Sequence, residues 1–139
     1  MAIKNIPRIS HVSAHMGCTE LDKEVSALAK KLVKEYKIDI DLRELGVKSI
    51  GYKGPHTTAA EKKKSFLAML DSLQAGETYI FVDHPALDGP EMRAIHHIGY
   101  ENVAEDRQGV TDVFTSDAVK KEIKKLGIQL VSYKEVPGR

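Results

Sequence analysis

Tyr79-Ile80-Phe81-Val82-Asp83-His84-Pro85-Ala86 decides the fold class. Four aromatic or β-branched residues run into an aspartate, a histidine and a proline. Such side chains favour the pleated surface of a strand, and proline ends the ladder by removing a donor. Residues 77–82 therefore read as a strand whose end carries Asp83 and His84. A second segment has the same layout: Ile9-Ser10-His11-Val12-Ser13-Ala14-His15-Met16-Gly17. It reads as a strand over residues 6–13 that runs into histidine and glycine. In parallel α/β folds chemistry collects where strands end. Two strand ends with histidine predict a site there, of a metal-assisted kind.

Outward from these strands the pattern alternates. Residues 20–36 read as an amphipathic helix, with Leu21, Val25, Leu28, Ala29, Leu32 and Val33 at helical spacing and Thr19 as its N-cap. Residues 37–42 alternate apolar and charged, as a short strand does. Residues 46–58 hold three glycines and a proline and read as a long loop, a length that is often functional. A helix is expected over 59–74, with Phe66, Leu67, Met69, Leu70 and Leu73 inward and Gly76 as its stop. Asp88-Gly89-Pro90-Glu91 opens a third helix, with proline in the first turn and Gly99 as its break. Residues 116–126 read as a fourth helix, with Ser116 or Asp117 as its cap and Gly127 as its stop, and 128–133 as a last strand. The order predicts an α/β fold, a mostly parallel sheet with flanking helices, in one domain over 1–139.

Composition bounds the rest. The chain has 139 residues, short for a closed β/α barrel of roughly 200 or more. With 21 basic and 20 acidic residues the net charge is +1, which gives no electrostatic reason to expect nucleic acid. No apolar run approaches the ~20 residues of a membrane span. Lys4, Asn5, Pro7 and Arg8 with no apolar stretch behind them predict no signal peptide, so a cytoplasmic location is the default expectation. The single Cys18 excludes an intrachain disulfide and a cysteine-rich zinc site.

The histidines are the candidate chemistry. His11 and His15, four apart, share one face of a strand. Neutral imidazoles there suit a divalent metal, and equally suit buried, hydrogen-bonded histidines. His84 at a strand end fits a general acid or base, with Asp83 to orient it or add charge, or else a turn cap. Arg107, next to Asp106, fits recognition of oxyanions or sugar hydroxyls, and the pair equally fits an ordinary salt bridge. His56 in the long loop reads as solvated, or else as approaching a ligand, and His96 and His97 near a helix end read as surface residues or caps of the helix dipole. The run Glu61-Lys62-Lys63-Lys64 reads as a solvated helix face.

Four segments in order resemble a known family. They are Ser10-His11-Val12-Ser13-Ala14-His15-Met16-Gly17, Val82-Asp83-His84-Pro85-Ala86, the run from Ile98-Gly99-Tyr100 to Asp106-Arg107-Gln108, and Lys125-Leu126-Gly127-Ile128-Gln129-Leu130-Val131-Ser132-Tyr133-Lys134. The chain resembles the YdjC-like carbohydrate deacetylases, over the C-terminal half of the family. The resemblance implies part of a distorted, TIM-like β/α barrel and removal of acetyl groups from N-acetylated saccharides with a divalent metal such as zinc or magnesium. It implies His15 as a metal ligand, His84 as the active-site histidine before proline, and Arg107 as the later arginine. The family's paired-aspartate strand and further histidine strand have no counterpart in this sequence, and Ser13 stands where relatives carry aspartate. The expectation is therefore a site incomplete in this chain alone, completed in a homo-oligomer or by a separate N-terminal half. The alternative is a non-catalytic relative that binds sugars or forms an assembly surface.

Overall fold

A computed structural model describes residues 2–6 and 9–136. The chain is mixed α/β, mostly helical, with a two-stranded parallel sheet among the described residues. It divides into two compact units, Lys48–Leu130 and Met1–Val47 with Val131–Arg139.

The Lys48–Leu130 unit opens with a β-α-β motif. Strand β1 (Lys48–Ile50) pairs in parallel with β2 (Tyr79–Phe81), Ile50 opposite Phe81. Parallel neighbours need a long crossover, supplied by a helix over Ala59–Leu70. That helix starts at a capping box, in which Thr58 accepts from the Glu61 amide and Glu61 accepts from the Thr58 amide. Two further helices follow, Val103–Thr115 and Asp117–Lys125. Phe66, Met69, Leu70, Val113 and Val119 form the core, with Ile50, Phe81, Ile123 and Ile128 packed against it. Val110 and Val113 are fully buried.

The crossover helix and the Val103–Thr115 helix approach closely at Gly109. A Cβ there would lie 3.2 Å from Lys62 Cδ and 3.3 Å from the Ala59 Cα. The second neighbour is backbone and yields little. Gly109→Val is expected to cost about 1–3 kcal/mol through overpacking, although valine is the better helix former. A urea melt checks it, and an unchanged midpoint would mean the helices part without cost.

The helix over Val103–Thr115 is absent from the sequence reading. Gly109 interrupts its pattern, and its buried positions Val103, Ala104, Val110 and Val113 are diluted by polar neighbours. The loop expected over 46–58 contains β1. The helix expected over 59–74 stops at Leu70, where the Ser72 hydroxyl donates to the Met69 carbonyl. The third helix is one turn, Pro90–Arg93, with proline first as expected. It does not reach Gly99, because His97 and Tyr100 exchange backbone hydrogen bonds across a turn with Gly99 at φ 86°. His96 and His97 therefore lie at that turn. Of the two candidate caps of the fourth helix, Ser116 holds the N-cap position, without a side-chain bond, and Gly127 at φ 66° is the expected stop.

In the other unit the helix expected over 20–36 spans Lys23–Glu35. Its cap is Asp22, which accepts from the Glu24 and Val25 amides, rather than Thr19. Residues 37–42 are not a strand: Lys37 takes φ 55°, and the Asp41 carboxylate accepts from the Arg43 amide in a turn. Residues 9–13 and 128–132 are not strands either, and Pro7 and Arg8 lie outside the described residues. After residue 14 the chain enters a 3-10 helix, His15–Glu20, kinked by left-handed Met16 and Gly17. The Ser132–Glu135 capping box turns the other segment into a 3-10 helix, Tyr133–Glu135. The two segments meet by side chains instead of a ladder: His11 and Tyr133 stack, centroids 3.5 Å apart and planes 6° apart.

Candidate functional site

The end of β2 opens on a cleft of about 360 Å³, lined by Tyr52, His56, Lys62, Asp83, Tyr100 and Asp106 among others. Tyr52 follows β1 and meets Phe81 and Phe66 edge-on, at 5.1 and 6.3 Å between centroids. Its hydroxyl donates to Asp83 Oδ2 at 2.8 Å. Burial, with that bond to a carboxylate, pushes the Tyr52 hydroxyl far above the usual tyrosine range. A turn at 53–55 brings His56 back over Tyr52, rings 5.0 Å apart. Buried Ser65 holds that turn. Its hydroxyl donates to the Pro55 carbonyl, and its carbonyl accepts from the Lys53 amide. Gly54 is at φ 127°, a conformation that favours glycine, and a Cβ there would lie 2.9 Å from Ser65 Oγ.

The opposite wall is charged. Lys62 is 3% exposed, and its ammonium sits 2.8 Å from Asp106 Oδ1. It also lies 5.3 Å from the Tyr52 ring centroid, a cation–π position. Asp106 Oδ2 accepts from the Tyr100 hydroxyl at 2.7 Å. Burial works to raise the Asp106 carboxyl, but the bonds from Lys62 and Tyr100 outweigh it and hold it below the usual carboxylate range. Tyr100 is raised, by burial first and then by Asp106, while the Arg107 guanidinium opposes.

Asp83 and His84 are held by the chain that follows. The Ala86 amide donates to the Arg107 carbonyl, the Thr111 hydroxyl donates to the Ala86 carbonyl, and the Asp88 amide donates to Gln108 Oε1. The strand end is thus tied to the Val103–Thr115 helix. Asp83 Oδ1 accepts from the His84 backbone amide at 2.8 Å. The carboxylate therefore fixes the peptide at His84 rather than the imidazole, and the His84 side chain is exposed outside the cleft lining. Arg107 is half-buried, beside Tyr100 and outside the lining, with a buried Nε that has no hydrogen-bond partner.

Of the residues expected at one site, Asp83, His84 and Arg107 belong to the Lys48–Leu130 unit, and His11 and His15 to the other. His11 is half-buried and shares a hydrogen bond with Ser10 Oγ through Nδ1 at 3.0 Å, which leaves Nε2 as its free donor atom. His15 is exposed at the head of its 3-10 helix. Among the described residues no three His, Cys, Asp or Glu side chains converge as a metal centre, and no helix is long and apolar enough to cross a membrane.

The sequence reading placed Lys62 on a solvated face and His56 in solvent. Lys62 is instead buried, and His56, exposed as expected, lines the cleft. Lys62, Phe66 and Met69 fall at i, i+4 and i+7, a stripe that marks the lysine as core-facing. Nothing local marks Tyr52 or Tyr100, whose partners lie in other elements or one turn ahead. No protein-family model matches the chain, and no curated protein is similar to it.

Proposed function

We propose that this chain is the C-terminal portion of a YdjC-like, metal-dependent carbohydrate deacetylase, part of a distorted β/α barrel, and that the cleft beyond β2 receives an N-acetylated saccharide. The observation that carries the reading is Asp83, fixed at a strand end by Tyr52 and lining a cleft of tyrosine rings and carboxylates. Ring faces suit the apolar faces of a sugar, and a few placed polar groups fix its hydroxyls. The order of the His15, His84 and Arg107 segments adds the resemblance to the family.

In this reading the acetamide end of the saccharide extends past the cleft rim to the exposed His84, which protonates the leaving amine. Asp83 sets the direction of His84 through the peptide between them and contributes charge to the site. Arg107, beside Tyr100 and outside the lining, is the substrate-binding arginine that the resemblance implies. A divalent metal, zinc or magnesium, supplies a Lewis acid for the acetamide carbonyl when bound. His15 by the resemblance and His11 by its spacing are the candidate ligands, one short of the three protein ligands common in catalytic zinc sites. A second copy, or a separate chain resembling the family's N-terminal half, contributes the remainder.

The second reading, a non-catalytic sugar-binding relative, rests on a different observation. Both cleft carboxylates already accept two hydrogen bonds each, Asp83 from Tyr52 and the His84 amide, Asp106 from Tyr100 and Lys62. Carboxylates so engaged suit recognition better than proton transfer.

One experiment separates the readings: acetate release from N-acetylglucosamine oligomers by the full chain with Zn²⁺ or Mg²⁺, beside calorimetric binding of the same oligomers. The deacetylase reading with the site completed by a second copy expects release that falls about 10²–10⁴-fold in His84→Ala. Binding that survives chelator without release supports the second reading, and neither release nor binding overturns the second reading and self-completion together.

A further inference from the structure

The helix over Lys23–Glu35, α2 after the short α1 (Ala2–Asn5), carries an apolar stripe that is left uncovered. Ser26, Ala29 and Val33 are its half-buried positions. Val25, Leu28 and Leu32 are 38%, 57% and 41% exposed. These three are spaced by three and four residues, as along the 3.5-residue repeat of a two-stranded coiled-coil seam.

We propose that α2 pairs with α2 of a second copy of this chain, the two helices antiparallel. About a two-fold axis, Val25 of each copy then faces Leu28 of the other, with Leu32 of each copy at an end of the seam. The flanking charges select this direction. Glu24 and Lys31 precede Val25 and Leu32 by one residue, both exposed and two turns apart on their own helix. Antiparallel pairing sets Glu24 of one copy beside Lys31 of the other, twice by symmetry. In a parallel pair these positions face Ala29 and Tyr36, and neither charge finds its opposite. The seam is short, at the low end of interface sizes, so the dimer is weak and concentration-dependent. The proposal does not rest on the deacetylase reading and fails separately from it.

Sedimentation equilibrium of the full chain over a wide concentration range is the test. A reversible dimer is expected, lost in Leu28→Glu. Glu24→Lys and Lys31→Glu each place like charges together twice and are expected to raise the dissociation constant about tenfold. The double variant E24K/K31E restores the pairing with its signs exchanged, and with it most of the affinity. A chain monomeric throughout overturns the proposal, as does a dimer indifferent to the charge reversals. Leu28→Glu that lowers the melting temperature of the monomer also overturns it, since the seam is then covered by the chain itself.

Discussion

Replacing Asp106 by asparagine is expected to destabilise the Lys48–Leu130 unit by about 3 kcal/mol, roughly 10–20 °C in Tm. The lysine, not the aspartate, sets the size of the effect. Lys62 is 3% exposed and its ammonium is 2.8 Å from Asp106, whereas the Asp106 side chain keeps 23% exposure. Asparagine fills the same space but leaves a buried ammonium without its counter-charge. The Tyr52 ring at 5.3 Å replaces little of it. Breaking a buried pair costs about 3–5 kcal/mol, and partial exposure of the carboxylate puts this one at the lower end. Lys62→Met in the same chain removes the stranded charge and keeps the packing of its stem, so K62M/D106N is expected to recover most of the loss. A double variant no more stable than D106N would mean that the pair does not act as a unit. Acid unfolding gives an independent check. The folded Asp106 carboxyl lies below its usual range, so its contribution is complete above the ordinary aspartate value of about 4 and is lost as pH falls through the lowered one. The stability of the wild type should therefore fall more steeply with acid than that of D106N.

The same pair marks how far the sequence is legible. Elements whose signals are local read correctly: β2 from its aromatic and β-branched run, the helix after Thr58 from its inward apolar residues, the helix after Ser116 from its cap and stop. Elements made by distant partners do not. His11 and Tyr133 belong to segments that read as strands, yet ring stacking, and no ladder, joins these two residues. Residues 37–42 alternate too, but the Asp41 carboxylate offers the backbone a local turn. The Val103–Thr115 helix hides its core face behind Gly109, whose value is close approach to another helix. At the site, Asp83 and His84 are legible as a strand end. The Tyr52–Asp83 and Lys62–Asp106 contacts span 31 and 44 positions and leave no trace in local spacing.

Phe66→Ala is expected to be at least as costly, about 3–5 kcal/mol. Phe66 is 7% exposed, and its ring meets Phe81 at 5.0 Å, Phe114 at 6.0 Å and Tyr52 at 6.3 Å, each edge-on. Every edge-on pair adds about 0.5–1.5 kcal/mol beyond area burial, and alanine removes three of them while opening a cavity. Phe114→Ala, at a ring already 40% exposed, is expected to cost less than half as much, which separates cavity formation from general loss of aromatic contacts. The consequence reaches the cleft. Tyr52 is held from behind by Phe66 and Phe81 and from the front by Asp83. With Phe66 gone the ring has room to tilt, and its hydroxyl can keep the Asp83 bond only by drawing the strand end with it. Phe66→Ala should therefore lose near-ultraviolet circular dichroism from its tyrosines well below its unfolding temperature, and, on the proposed saccharide reading, bind N-acetylglucosamine oligomers more weakly than Phe66→Leu, which fills most of the space. A Phe66→Ala protein with that signal and that affinity intact would mean that the Asp83 bond alone sets the position of Tyr52, and that the aromatic cluster serves stability without shaping the cleft.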